Sequence, residues 1–173
     1  SGTKPKRTIL LLGLAADEFG LLRAQAWVKA HKDKLPKIAN LFNRDGGPEP
    51  PVGISVPQAM YDDFVKISEP IQKIRPDYPF EVKVREPRKR PTRMGGTDAS
   101  VFAIEGVPTL GFTTEDFKGY DFDYGEIWHT ERDLYTKNIP EYQEHTATVT
   151  AIIALGVANL DKQLSREGLY TEE

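Results

Sequence analysis

The chain has 173 residues, a length that suits one domain, and combines 39% hydrophobic and 28% charged residues with a formal net charge of -3. That balance gives no argument for a nucleic-acid or anionic-membrane partner, and no apolar run reaches the roughly 18 residues of a transmembrane helix. Cysteine is absent, which excludes disulfides and thiolate sites and leaves His, Asp and Glu as the strong metal ligands.

In chain order, the residues before Thr8 lack the charged-then-apolar pattern of an export signal. Thr8 to Ala15 is a nearly continuous apolar run, which predicts a strand covered on both faces. Gly20 to Lys32 places Leu21, Leu22, Ala24, Trp27 and Val28 on one side and Arg23, Lys29 and Lys32 on the other, as an amphipathic helix does. Ile38 to Asn43 reads as a second strand, closed by Asp45-Gly46-Gly47. After a rigid Pro48–Pro51 connector, Val52 to Val56 reads as a third.

From Gln58 to Ile74, the residues Met60, Phe64, Ile67, Ile71 and Ile74 recur at helical spacing, with Pro70 expected to kink or interrupt the helix. Phe80, Val82 and Val84 alternate with charged residues, as in a half-buried strand. Thr97 or Asp98 can cap a helix ending at Gly106, and Pro108 to Phe112 is a further short strand. Phe117 to Asp133 is aromatic and acidic without a clean period, which predicts a loop. A long helix starts at Pro140 with a stripe through Tyr142, Val149, Ile153 and Leu160, and residues 165–173 read as a loose tail after a 5–164 core. Alternating helices and strands predict a single α/β domain, a three-layer α/β/α sandwich with a mostly parallel sheet.

Acidic residues fall just past predicted strand ends: Asp17 and Glu18 after the first, Asp45 after the second. His129 lies in a loop after a later strand. In open α/β sheets, functional groups collect at that edge, where loops converge on one crevice. By spacing alone the same acids serve equally as helix N-terminal charges or as a turn former before Gly46-Gly47.

Four ordered motifs go further. Asp17-Glu18-Phe19-Gly20-Leu21-Leu22 resembles the Glu-Glu-x-Gly-Leu-Leu segment of the co-catalytic di-zinc aminopeptidase family, which includes glutaminyl cyclases and glutamate carboxypeptidase-like proteins. Asn43-Arg44-Asp45 resembles its strand-end aspartate, and Met94-Gly95-Gly96-Thr97-Asp98 its Gly-Gly-Ser-Asp helix start. Trp128-His129-Thr130 resembles its late histidine loop. The resemblance runs from about Pro5 to about Leu164. It implies Asp17 as the general base and Glu18, Asp45 and His129 as zinc ligands, acting on a peptide substrate.

The chain also departs from that pattern. The family's upstream histidine and bridging aspartate have no counterpart, because only seven residues precede Thr8. At most one zinc ion is therefore expected, with weak or absent peptidase activity. Asp17 replaces a longer glutamate, and a displacement of about 1 Å can cost on the order of 100-fold in rate. Leu14-Ala15-Ala16 and Arg23-Ala24 replace glycine-rich segments, as in a resurfaced or engineered scaffold. Without the family's flanking strands the Thr8–Ala15 edge is exposed, which predicts a homodimer.

Among the other candidates, His31 reads as a surface residue and His145 as a packed or half-exposed residue of the last helix. Arg85, Arg88, Lys89, Arg90 and Arg93 read as a solvated loop in preference to a phosphate-binding patch. The aromatics Phe117, Tyr120, Phe122, Tyr124 and Trp128 line a pocket or form a satellite core.

Overall fold

A computed structural model describes residues 4–171. Its elements in order are α1 (Leu22–Ala30), β1 (Pro51–Val56), α2 (Tyr61–Ile74), β2 (Glu81–Val84), α3 (Asp98–Ile104), β3 (Phe112–Thr114), α4 (Tyr124–Ile127) and α5 (Pro140–Asn159). The strands form one mixed sheet in the order β2-β1-β3. β1 runs parallel to β2, with Ile54 opposite Val82, and antiparallel to β3, with Ile54 opposite Phe112. The α/β class therefore stands, with one sheet pair of each kind.

The main core joins Ile54 and Val56 of β1 to Phe64, Ile67 and Ile71 of α2 and Val149, Ile153 and Val157 of α5. The i, i+3, i+4 spacing on both helices supplies this interface. Gly156 makes it possible, because a Cβ there would stand 2.4 Å from Ile67 Cγ2. α2 runs unbroken through Pro70. The carbonyl that Pro70 leaves free belongs to Lys66, and both residues are exposed, so water can take it.

A second core gathers Leu21, Ala24 and Val28 of the α1 region with Val101 and Phe102 of α3, and with Leu12, Leu14, Ile38 and Leu41. Here two expected strands are corrected. Residues 8–15 and 38–43 are irregular. Along the first, Leu12 and Leu14 face this core while Leu11 is 91% exposed, so one side only is covered. Along the second, the Asn40 side chain replaces ladder bonds. Its Nδ2 donates to the Leu110 carbonyl at 3.2 Å, and its Oδ1 accepts from the Leu110 amide at 2.8 Å. The strand expected at 108–112 begins only at Phe112 for the same reason.

Residues 165–171 are also not loose. Leu169 is 1% exposed in the main core, and the Thr171 amide donates to the Arg88 carbonyl at 3.0 Å. Arg166 donates to the carbonyls of Pro36, Ile38 and Gly106. The arginine-rich stretch is part of this clasp, since Arg88 lies over the Tyr170 ring and Arg90 donates to the Ile104 carbonyl. Among the described residues, no helix is long and apolar enough to cross a membrane.

Candidate functional site

Three segments, the loop into α1, the turn carrying Asp45 and the loop after α4, bring Glu18, Asp45 and His129 to one cleft of about 920 Å³, which Arg44 and Trp128 also line. The first loop leads into α1. Ala16 (φ 62°) and Leu21 (φ 59°) are left-handed, with Gly20 between them, and the amides of Gly20 and Leu21 both donate to the Asp17 carbonyl. A left-handed backbone is costly for a residue with a Cβ and persists only where surrounding structure enforces it. Here the turn swings Glu18 outward.

The second loop follows α4. His129 is itself left-handed (φ 57°), directly after Trp128 closes the helix by donating to the Tyr124 carbonyl. The result sets His129 Nε2 3.4 Å from Glu18 Oε2. Both side chains are more than half exposed, at 53% and 66%, so this pair belongs to the cleft mouth.

Asp45 is held by its neighbour. Arg44 turns back to donate to the carbonyls of Gly47 and Glu49, the latter at 2.8 Å, and so closes the turn that carries Asp45. Burial, then the charges of Asp17 and Glu18, push the Asp45 carboxyl above the usual range. Asp98, at the start of α3, is raised in the same way by burial and then by Asp17 and Asp45. Asp98 is the member that sequence reasoning missed. The Gly-Gly-Thr-Asp motif marks its position at a helix start, yet Thr97 makes no side-chain cap bond and Asp98 Oδ1 has no hydrogen-bond partner.

Asp17, the expected base, does not line the cleft. Its Oδ1 is buried without a hydrogen-bond partner, as is Asp98 Oδ1. A cluster of carboxylates that repel one another and lack donors suits a cation in charge. In arrangement it falls short: among the described residues, no three or more His, Asp or Glu side chains are grouped to hold an ion.

The aromatic loop divides between its two readings. Phe117 and Tyr120 pack on Tyr142 as a satellite core, at centroid distances of 5.9 and 5.2 Å. Tyr124 and Trp128 line the cleft. His31, expected at the surface, is half covered by its stack on Trp27 at 4.4 Å. His145 is wholly buried.

The same relationship emerges from comparison with known proteins. Among solved structures, a peptidase M28 precursor from Shewanella amazonensis superposes with a TM-score of 0.71 at 25% identity, over 95% of this chain and 34% of that one. Legionella LapA shares the fold with a TM-score of 0.62 at 18% identity, over 92% of this chain and 43% of that one. Carboxypeptidase Q of Mus musculus is 24% identical over 170 residues, and that of Homo sapiens 22%, each alignment taking in 95% of this chain. The chain spans about a third (32%) of the length of these curated relatives. The sequence profile of peptidase family M28 matches residues 1–153, covering both loops of the cleft, and on that match the chain belongs to peptidase family M28.

Proposed function

We propose that this chain is the part of a zinc exopeptidase domain that presents Glu18, Asp45 and His129 toward a peptide-binding cleft, with at most one weakly held zinc ion and little or no turnover of its own. The carrying observation is the 3.4 Å approach of Glu18 and His129 across the cleft mouth. Asp45, whose carboxyl is raised in part by the charge of Glu18, lines the same cleft and offers a further oxygen there. Imidazole and carboxylate are ligands that zinc takes. No hydrolytic step is assigned, because no third ligand is grouped with this pair and Asp17 stands outside the cleft.

Calorimetric titration with zinc tests the reading. A single weak site that Glu18→Ala or His129→Ala abolishes supports it, and unchanged binding in both variants refutes it. Chelator-sensitive release of nitroaniline from an aminoacyl-nitroanilide would instead favour a competent exopeptidase, with the remaining ligands supplied by residues outside this chain. Self-association through the exposed Leu10 and Leu11 is part of the same proposal. Sedimentation equilibrium should then show a dimer that Leu11→Lys converts to monomer.

A further inference from the structure

Among the described residues, His145 is the one buried polar or charged residue, at 0% exposure in the middle of α5. Its surroundings fix its protonation state. Nε2 stands 3.0 Å from the Pro51 carbonyl, which can only accept, so Nε2 carries the proton and donates. Nδ1 is buried with no partner. The ring face stacks on Tyr78 at 3.9 Å and 18°.

The charged groups around it are mixed. From the end of α2 comes Arg75, paired with Glu144 of α5 at 2.6 Å. From the following turn comes Asp77, and from the loop after β3 comes Lys118, which pairs with Glu141 at 2.5 Å and Asp77 at 3.6 Å. From β1 comes the Pro51 carbonyl. The carboxylates are thus already bound to cations. A second ring proton would sit on an atom with no acceptor, inside apolar packing.

The neutral ring is also a fastener. It ties α5 to the first residue of β1. One turn earlier on α5, Tyr142 donates to Asp116 at 2.6 Å and accepts from the Lys118 amide at 3.0 Å. Asp116 in turn takes the Tyr120 amide at 3.1 Å. These bonds anchor the base of the loop that runs on to Trp128 and His129.

We propose that His145 is an acid-sensitive latch: a proton on its unpartnered, buried Nδ1 drives the ring out toward solvent, which breaks the Nε2–Pro51 bond between α5 and β1 and, through Tyr142, loosens the loop that carries one wall of the cleft. The latch depends on packing alone and holds whatever chemistry the cleft performs. Burial, then Arg75 and Lys118, hold the His145 pKa below the ordinary value, against the Pro51 bond and Asp77. For a base with a lowered folded pKa, the unfolded chain takes the proton first. Stability is therefore full above about 6.5 and falls as the solution is acidified through the lowered folded value.

The test is amide hydrogen exchange at pH 7 and pH 5 on the intact chain and on His145→Gln, whose amide can still donate to Pro51 but cannot gain a proton. Protection at Lys118, Tyr120 and Phe122 should fall about tenfold or more on acidification in the unmodified chain and hold in the variant. Equal loss in both would overturn the proposal. Should His145→Gln not fold, proton NMR of the unmodified chain decides. A His145 ring that stays the Nε2–H tautomer well below the ordinary histidine value supports the latch, and one that titrates at the ordinary value refutes it.

Discussion

Glu18 and His129 meet at 3.4 Å with most of each side chain in solvent; Glu18 lies in the turn between left-handed Ala16 and Leu21, and His129 is itself left-handed. Their approach is therefore imposed by two backbone turns, since an exposed polar contact of this kind contributes only about 0–1 kcal/mol. Stability and binding should separate cleanly here. Glu18→Ala and His129→Ala are each expected to shift unfolding free energy by less than about 1 kcal/mol in urea titrations. Each should weaken zinc binding by more than about tenfold, or about 1.4 kcal/mol, in calorimetry.

The carboxylate cluster makes the opposite prediction about stability. Asp98 is raised by burial first and then by Asp17 and Asp45, so its charged form is disfavoured in the fold. For an acid whose folded pKa is raised, the folded state holds the proton longer, and stability declines as pH rises from the unfolded value of about 3.9. Asp98→Asn should therefore stabilise the chain at pH 7 and change it little at pH 3.5. Paired thermal melts at the two pH values check this. A loss of stability at pH 7 would show that the carboxylate is held by something other than its acidic neighbours.

Gly156 and Ile67 define how closely α5 can approach α2. Gly156→Ala gains helix propensity of about 1 kcal/mol but puts a methyl 2.4 Å from Ile67 Cγ2, an overpacking that costs about 1–3 kcal/mol. The clash wins and the variant should be destabilised. Adding Ile67→Ala removes the obstructing methyls, so the double variant should be less destabilised than the two single losses summed. A double-mutant cycle in urea reads this coupling directly.

These results bear on how much of the molecule the sequence discloses. Helices α1, α2, α3 and α5 were legible because their apolar spacing is what packs them. β1 and β2 were legible from alternation and turn residues. Residues 8–15 and 38–43 were misread because an apolar run reports burial and not pairing. Asn40 satisfies Leu110 through its side chain, and nothing in local composition announces that. The tail was misread because Leu169 and Arg166 find partners far away in sequence. That Glu18, Asp45 and His129 line one cleft was legible from ordered motifs. The outward turn at Ala16, which leaves Asp17 off the cleft, depends on a backbone angle that no residue type there requires.

Tyr142 offers the most direct check on how the cleft loop is anchored. Its hydroxyl donates to Asp116 at 2.6 Å and accepts from the Lys118 amide at 3.0 Å, inside a ring cluster with Phe117, Tyr78 and Tyr120. Tyr142→Phe keeps the ring packing and removes both bonds, leaving the Asp116 carboxylate short of a donor. The expected loss is about 1–3 kcal/mol. The phenol is pushed up to about 12 by burial and by its bond to Asp116. For an acid raised in the fold, this contribution is complete below about 10 and is lost as the pH climbs through about 12. The difference between Tyr142→Phe and the unmodified chain should therefore be constant from pH 7 to 9 and shrink above about 10. Urea unfolding across that range measures it, and a difference that already varies between pH 7 and 9 would mean the hydroxyl is not held as a donor to Asp116.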